Sequence, residues 1–434
     1  MKKFHFLYYL CFFFFVAACN KEDSIEKYPT IVNKYDPALP VSADRLMPTY
    51  GGIDQTFVIE GNFKGDLSNM RVYFGKKKAI LIATDGHSIS GLVPKQLPGN
   101  NSVSVVVGKD SLAPASFLFK YKQSKSVKTI AGKYGDGKTT DGDLDAARFE
   151  RTDYVATVKG LKGDNIVVVQ TEWASKVRLI SLDDNKVLTI GDGQAVSKPA
   201  VTSTRDKFYV ITHWPDQHRI YSFSRAENWT MQLTGITIAQ ADMPGQIFGC
   251  TFGNDDRYLY AMDNDGRLAC VDLEKKSYQM ISIVGEPVNN WGDWSGAIVY
   301  SKFHDCFFAC FSNNPGVFKI YNDNGTWRRV KYAGFNGAGA VFGDRLKDAK
   351  FTNPHGLAVT DDGEIYVVCK NHYICKITGD QVELVAGKNG NYGDINGNPL
   401  DARFDQPRDI AIDFEGNFFI AAGEGKSIKK LSIE

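Results

Sequence analysis

Aromatic and imidazole side chains are concentrated in the predicted loops of the C-terminal part of this sequence, where they could bind a ligand. Flat rings stack on the apolar faces of sugars, and exposed aromatic residues are typical of recognition surfaces. The candidates are Trp173, His213, Trp214, Trp291, Trp294, Phe335, His355, His372 and Tyr392. Groups able to hydrogen-bond to sugar hydroxyls accompany them: Asp216, Asn289, Asn290, Asp293, Asn313, Asn314, Asn371 and Arg408. These residue types favour glycan binding, and the alternative is that some rings pack onto strands.

Four histidines are the candidates for a metal site, namely His213, His218, His355 and His372. A catalytic zinc ion needs three converging protein ligands and one open position. No H-x-H or H-E-x-x-H pattern brings two of these histidines together in the sequence. We therefore expect no metal and no other cofactor.

Local motifs of catalysis are missing from the sequence. Residues 141–145 are only superficially similar to a calcium loop, because Ala146 stands where the EF-hand pattern requires glycine. Neither a P-loop nor a G-x-S-x-G elbow is present. We expect no catalytic residues, so binding is favoured over catalysis, although distant loops can assemble a site that leaves no local motif.

Charge and cysteine content narrow the class of protein further. The 51 Lys and Arg residues almost balance the 50 Asp and Glu residues, so no nucleic-acid partner is expected. None of the cysteines has the C-x-x-C spacing of a zinc site. Cys369 and Cys375 flank a short turn, which leaves two alternatives open: a disulfide across a hairpin or buried free thiols.

The N-terminus has the pattern of an export signal. Basic Lys2 and Lys3 precede an apolar run that ends at Ala18 and is shorter than the roughly 20 residues that span a bilayer. The sequence Val-Ala-Ala-Cys at 16–19 resembles the lipobox of bacterial lipoproteins, and Asn-Lys-Glu-Asp at 20–23 is similar to a surface-export signal of Bacteroidetes lipoproteins. The resemblance implies a signal peptide over 1–18, a lipid on Cys19, a tether over 19–36 and attachment to the outer membrane, exposed at the surface.

Residues 37–122 are predicted to form a small β-sandwich. Short alternating segments such as 55–60, 71–74, 102–107 and 117–121 are separated by Gly, Pro and Asn, and such alternation buries one face of each strand. The motifs Ile-Glu-Gly-Asn-Phe at 59–63, Val-Tyr-Phe-Gly at 72–75 and Leu-Val-Pro at 92–94 resemble the immunoglobulin-like IPT/TIG domain. In that family the module is usually a spacer or a binding partner.

Residues 123–434 contain an internal repeat. A small or branched residue followed by glycine ends a predicted strand at Gly132, Gly191, Gly235, Gly285, Gly334 and Gly387, with gaps of 59, 44, 50, 49 and 53 residues. Six such glycines, about 50 residues apart, predict six four-stranded blades. The segments 349–359 and 402–412 closely resemble NHL repeats, and Ala147-Arg148-Phe149 begins the first unit in the same way. The prediction is an all-β chain with a six-bladed NHL-type β-propeller.

The ends of the predicted propeller are complementary. The sixth unit supplies only three strands before the chain stops, whereas residues 127–131 have the pattern of a fourth strand but precede the first blade. Pairing them would close the ring and remove an exposed sheet edge. We therefore expect the ring to be closed by an N-terminal strand.

The topology of a propeller determines which loops share a face. Loops between blades and turns between the second and third strands of a blade lie on the same side. This arrangement would bring Trp173, Trp214, Trp291 and Trp294 to one rim together with the other candidates. The leading hypothesis is a surface lipoprotein that binds a glycan or a glycan-processing assembly, and the alternatives are a protein-interaction scaffold and a lyase or hydrolase with an axial metal.

Overall fold

A computed structural model describes residues 34–96, 98–171, 175–213, 217–288 and 295–433. In these ranges the chain forms 37 β-strands and two short 3₁₀ helices, Leu67–Asn69 and Arg225–Glu227. It divides into two compact units between Lys122 and Gln123. No helix within the described ranges is both long and apolar enough to cross a membrane.

The N-terminal unit is a sandwich of two sheets. Its strands are β1 (Ser42–Met47), β2 (Tyr50–Gly51), β3 (Thr56–Asn62), β4 (Met70–Phe74), β5 (Lys77–Lys78), β6 (Ile80–Thr84), β7 (Ser88–Leu92), β8 (Gly99–Val107), β9 (Asp110–Leu112) and β10 (Leu118–Tyr121). One sheet has the order β1-β3-β7-β6, and the other has the order β2-β10-β8-β4-β5, with β9 paired to β8. This arrangement confirms the predicted immunoglobulin-like sandwich.

Aromatic residues fill the interior of the sandwich. The rings of Phe57, Phe74 and Phe119 are fully buried. They meet edge-to-face, with centroids 5.1 Å apart for Phe57 and Phe74 and 5.2 Å apart for Phe74 and Phe119. Because alternate residues of a strand point to opposite faces, each of these strands contributes one side to this core.

The first half of the propeller unit contains three complete sheets. Its strands are β11 (Lys125–Gly132), β12 (Gly142–Asp143), β13 (Tyr154–Lys159), β14 (Asp164–Gln170), β15 (Lys176–Ser181), β16 (Lys186–Asp192), β17 (Ala200–Val201), β18 (Lys207–Ile211), β19 (Gln217–Ser224), β20 (Gln232–Ala239), β21 (Ile247–Phe252), β22 (Tyr258–Asp263), β23 (Leu268–Asp272) and β24 (Ser277–Ile281). Blade 1 contains β12–β16, blade 2 contains β17–β20 and blade 3 contains β21–β24.

The second half supplies the other three sheets. Its strands are β25 (Ile283–Gly285), β26 (Gly296–Ser301), β27 (Cys306–Phe311), β28 (Val317–Asp323), β29 (Thr326–Ala333), β30 (Gly343–Asp344), β31 (Pro354–Val359), β32 (Ile365–Cys369), β33 (Tyr373–Thr378), β34 (Gln381–Gly387), β35 (Asp409–Ile412), β36 (Phe418–Ala421) and β37 (Ser427–Ile433). Blade 4 contains β25–β29, blade 5 contains β30–β34, and blade 6 has the order β11-β37-β36-β35.

The innermost strands of the sheets form a closed ring. Strands β13, β17, β21, β26, β31 and β35 each contact the next in this order, and β35 contacts β13. This cycle confirms the six-bladed propeller. Buried aliphatic and aromatic side chains fill the space between neighbouring sheets, which is the packing that holds blades around an axis.

The ring is closed as the sequence predicts. Strand β11 pairs antiparallel with β37, so that Val127 lies opposite Leu431 and Lys128 lies opposite Lys430. Val127 is buried in the same apolar cluster as Leu431. One sheet therefore contains strands from both ends of the propeller unit: β11 covers the edge of β37 and becomes the outer strand, where Val127 bridges Gly397.

Three blades have a fifth strand that the four-stranded prediction lacks. Short strands β12 and β30 belong to loops between blades and pair with the outer strands β16 and β34, while β25 pairs parallel with β29. These additions cover the unpaired N–H and C=O groups of the outer edges. These loops thus run along the periphery of the next blade before the chain reaches its innermost strand.

The six cysteines of the propeller are buried free thiols in the structure. Cys369 and Cys375 lie on neighbouring strands β32 and β33 and form no disulfide. The sequence left open either a disulfide between Cys369 and Cys375 or buried free thiols, and the structure contains the free thiols. Burial raises the pKa of the Cys250 thiol to about 12, so this thiol is uncharged and poorly reactive at neutral pH.

Candidate ligand-binding face

The tryptophan part of the predicted surface lies outside the described residues. This applies to Trp173, Trp214, Trp291 and Trp294, to the neighbouring Asn289, Asn290, Asp216 and Asp293, and to the lipidation residue Cys19. The structure therefore describes only the remaining candidates of this predicted face.

The described candidates occupy three different environments. Phe335 packs on the core of blade 4, with its ring centroid 4.7 Å from that of Phe318. His372 and Tyr392 lie together at the rim, and their ring centroids are 6.0 Å apart. His213, His355 and Arg408 are buried near the axis, with exposed fractions of 2%, 1% and 8%. The structure thus separates an outer group from an inner group.

The outer group, which we call the rim patch, consists of Tyr134, His372, Tyr392 and Asp405. Tyr134 and Tyr392 are 40% and 69% exposed. The Tyr134 hydroxyl donates a 3.2 Å hydrogen bond to Oδ2 of Asp405, whose Oδ1 lies 4.0 Å from Nδ1 of His372. Two exposed rings therefore flank a carboxylate and an imidazole.

The protonation of His372 follows from its hydrogen bonds. The backbone N–H of Gln406 donates to Nδ1 at 3.1 Å. Burial lowers the pKa of His372, although the charge of Asp405 acts in the opposite direction. The ring is therefore neutral at neutral pH, and because Nδ1 accepts, the proton is on Nε2.

The rim patch is assembled from three separate loops. His372 lies in the turn between β32 and β33, where its φ of 78° is left-handed. Tyr392 and Asp405 lie in the loop from blade 5 to blade 6, and Tyr134 follows the closing strand β11. All three loops are of the two kinds that share one propeller face, so closure of the ring brings Tyr134 next to Asp405.

The inner group, which we call the axial mouth, consists of Asp153, His213, His355 and Arg408. Asp153, His355 and Arg408 each lie four residues after the phenylalanine that begins a unit, namely Phe149, Phe351 and Phe404. The repeat places these three side chains at equivalent positions of adjacent blades 5, 6 and 1. Their convergence is thus a consequence of the repeat, which brings chemically different side chains to the same level of the axis.

Asp153 is the central acceptor of the axial mouth. Its Oδ1 accepts a 2.8 Å hydrogen bond from Nε of Arg151 and lies 3.5 Å from Nη1 of Arg408. Its Oδ2 accepts a 2.8 Å hydrogen bond from the backbone N–H of Thr171. Both carboxylate oxygens are therefore engaged by donors of blade 1.

The histidines do not converge on a metal site. His355 Nδ1 lies 2.8 Å from the carbonyl oxygen of Arg408, whereas His213 Nδ1 lies 2.6 Å from the side-chain amide of Gln246. Both nitrogens of His218 face carbonyl oxygens, those of Thr212 and Met243. Across the described ranges, no three His, Cys, Asp or Glu side chains are grouped to hold a metal ion.

A buried ion pair crosses the axis below the mouth. Nζ of Lys198, which precedes β17 in blade 2, donates to Oδ1 of Asp409 in blade 6 at 2.7 Å and to the carbonyl oxygens of Leu357 and Ile410 at 3.1 and 3.2 Å. Gly356 makes room for it, since a Cβ there would lie 2.9 Å from Oδ1 of Asp409. Beside the pair, the inner strands line an open cavity of about 250 Å³.

The sequence prediction did not include Asp153, although the repeat contains a signal for it. Asp153 is at the position of His355 and Arg408, so aligning the three units identifies it. Tyr134, Asp405 and Lys198 have no such signal, because each acquires its neighbours only when distant blades meet.

Comparisons with known proteins agree with this architecture. The family model described as IPT/TIG domain matches residues 44–121, and that described as NHL repeat matches residues 351–373. The chain therefore contains an IPT/TIG domain and an NHL repeat. A search of curated proteins finds no match.

Several solved structures from Bacteroides have the same fold over nearly the whole chain. A protein of unknown function from Bacteroides thetaiotaomicron is 27% identical with a TM-score of 0.77, and the match covers 92% of this chain and 100% of that one. A protein from the same species described as an auxiliary nutrient binding protein is 21% identical (TM-score 0.60; 93% and 100% covered). Another so described, from Bacteroides ovatus, is 18% identical (TM-score 0.61; 92% and 99% covered).

Proposed function

We propose that this protein is a lipid-anchored lipoprotein of the outer-membrane surface that captures a glycan on the propeller face carrying the rim patch. The observation that carries the proposal is the exposure of Tyr134 and Tyr392 on either side of the His372 and Asp405 pair. Neighbouring exposed rings are unfavourable in water and mark recognition surfaces. Their role here is to stack on sugar rings.

The polar groups of the rim patch suit sugar hydroxyls. Asp405 offers carboxylate lone pairs, and the neutral His372 offers an Nε2–H donor. A hydroxyl can both donate and accept, so it can bridge the two groups. This combination of flat apolar rings with a fixed donor and acceptor supports a saccharide ligand.

The similar structures support a binding role, and the N-terminus supports attachment to a membrane. Two proteins with the same fold are described as auxiliary nutrient binding proteins, which makes capture of a nutrient the hypothesis to test first. The lipobox-like sequence ending at Cys19 would add acyl chains, and two chains give stable attachment where one gives only reversible binding. A tethered propeller could then hold a glycan close to the cell.

The test is binding of the full-length protein to a panel of polysaccharides, measured by affinity electrophoresis and calorimetry. We expect Tyr392→Ala and Tyr134→Ala each to weaken binding about 5- to 30-fold, which corresponds to one or two kcal/mol. The matched control is Phe414→Ala, because Phe414 is 61% exposed but lies in the turn between β35 and β36, on the opposite face. Absence of binding by the wild type, or equal losses in all three variants, would refute the proposal.

A further inference from the structure

Among the residues that the structure describes, the buried Nε of Arg408 has no hydrogen-bond partner. The residue is 8% exposed. Within the described ranges, its one ion pair is the 3.5 Å contact of Nη1 with Asp153, which is too long for a hydrogen bond. Buried polar groups are normally satisfied, so this one requires an explanation.

Among the described residues, the carboxylates of Asp153 and Asp409 near Arg408 already accept hydrogen bonds from other donors. Asp153 accepts from Arg151 and from the backbone of Thr171, each at 2.8 Å. Asp409 accepts from Lys198 at 2.7 Å and from the backbone N–H of Val155 at 3.0 Å. Each of these carboxylates thus has a closer cationic donor than Arg408.

The position of Arg408 is fixed by its surroundings. Its backbone carbonyl lies 2.8 Å from Nδ1 of His355, and its backbone N–H donates to Ala421. Gly423 (φ 57°) lies under the side chain, where a Cβ would be 2.0 Å from the carbonyl oxygen of Gln406 and 3.2 Å from Cγ of Arg408. The backbone and Cγ of Arg408 are therefore packed in place, and the guanidinium lies beside Asp153 at the axial mouth.

A carboxylate is the group that would satisfy such a guanidinium. The planar fork of arginine matches the two oxygens of a carboxylate, and hydrogen bonds between two charged partners are among the strongest in proteins. A buried charge that lacks its partner destabilises a fold unless a ligand supplies that partner. A sugar acid has this carboxylate together with the ring face and hydroxyls that suit the rim patch.

We infer that the axial mouth binds the carboxylate of a uronic acid through Arg408, so that the ligand is an acidic glycan. This inference rests on the proposed function, since it names the substrate class of the same propeller face. The rim patch would contact the remaining sugar units.

The experiment compares acidic and neutral sugars on the full-length protein by calorimetry. The acidic probes are oligomers of galacturonic, glucuronic and mannuronic acid, and their matched controls are the methyl esters and the corresponding neutral oligosaccharides. We expect at least one acid to bind at least tenfold more tightly than its ester. We also expect Arg408→Gln to remove this difference.

Two further variants separate the site from general charge effects. Arg328→Gln removes the same charge from an outer strand, where the side chain is 45% exposed, and should keep the preference for the acid. Arg408→Lys keeps the charge but lacks the fork and should reduce the preference. The melting temperature of Arg408→Gln without ligand should be equal to or above that of the wild type, because a poorly paired buried charge is removed.

The outcomes distinguish this inference from the proposed function. Equal affinity for acids and esters, or a preference for the acid that survives Arg408→Gln, overturns the uronic acid site while the glycan-binding proposal stands. Preference for a sulfated oligosaccharide over the uronic acids also overturns it, since the planar carboxylate would then not be the recognised group. Absence of binding to any sugar overturns both.

Discussion

Lys198 and Asp409 place a buried ion pair across the axis of the propeller, between blades that are not neighbours in the ring. The side chains are 9% and 1% exposed. Burial raises the pKa of Asp409, which the nearby Lys198 and the backbone N–H of Val155 oppose. Such a pair adds little net stability, but removal of one partner leaves the other buried and unpaired.

This pair predicts a strongly non-additive double-mutant cycle. Asp409→Asn should lower the free energy of unfolding by about 3–5 kcal/mol, because the Lys198 ammonium loses its counterion. Lys198→Met should cost less, since the raised pKa allows Asp409 to take up a proton. The double variant should recover most of the stability, as measured by urea denaturation. Additive losses would contradict this interpretation.

At the scale of elements, side-chain hydrogen bonds stabilise the closing strand β11 in addition to its backbone pairing with β37. Lys429 of β37 is fully buried, and its Nζ donates to Oγ1 of Thr129 at 3.1 Å and to Oδ1 of Asn396 at 2.8 Å, and pairs with Asp394 at 2.5 Å. Val127 also bridges Gly397. Strands β11 and β37 and the loop between blades 5 and 6 are thus bonded to one another.

We expect Val127→Asp to open the ring. The side chain is 2% exposed among apolar residues, so a carboxylate there would be buried without a partner and should cost several kcal/mol. The expected result is a lower melting temperature and proteolysis near the C-terminus. Lys128→Asp is the control, because Lys128 is exposed on the same strand; equal effects of the two substitutions would argue against the closing role.

Closure of the ring also has a consequence for the ligand face. Tyr134 follows β11 directly, and its hydroxyl bonds to Asp405, which lies 271 residues away in the chain. The same pairing that closes blade 6 therefore completes the rim patch. Variants that loosen β11 should lose glycan affinity along with stability.

At the scale of the whole molecule, the two units have separate hydrophobic cores, and the candidate face belongs to the propeller alone. The proposed anchor at Cys19 precedes every strand of both units in the sequence. Attachment to the membrane and binding of the ligand are therefore assigned to different parts of the chain. They should be separable by substitution.

Cys19→Ala should abolish incorporation of labelled palmitate and move the protein from the membrane to the soluble fraction of a bacterium that processes lipoproteins. Its affinity for the glycan should remain unchanged. Cys11→Ala is the control, since this cysteine lies within the apolar run and is not preceded by the lipobox-like residues. Continued labelling of the Cys19 variant would refute the predicted anchor.

The repeat alone was sufficient to predict the six blades and their closure. Glycines at similar intervals and a strand with no partner in its own unit are local patterns, and each reports how a segment must be buried or paired. For the same reason, the motifs over residues 59–94 were enough to identify the IPT/TIG domain. Asp153, His355 and Arg408 follow from the same periodicity, because equivalent positions of adjacent blades meet at the axis.

The chemistry at those positions was decided by the tertiary structure. Only the closed ring shows that His355 and Arg408 are buried rather than exposed, that Lys198 reaches Asp409 across the axis, and that Tyr134 joins His372 and Tyr392 at the rim. Phe335 has the sequence setting of a loop aromatic, yet its ring packs beside Phe318. Burial and pairing depend on contacts between residues far apart in the chain, and periodicity records only where a strand begins, ends and turns.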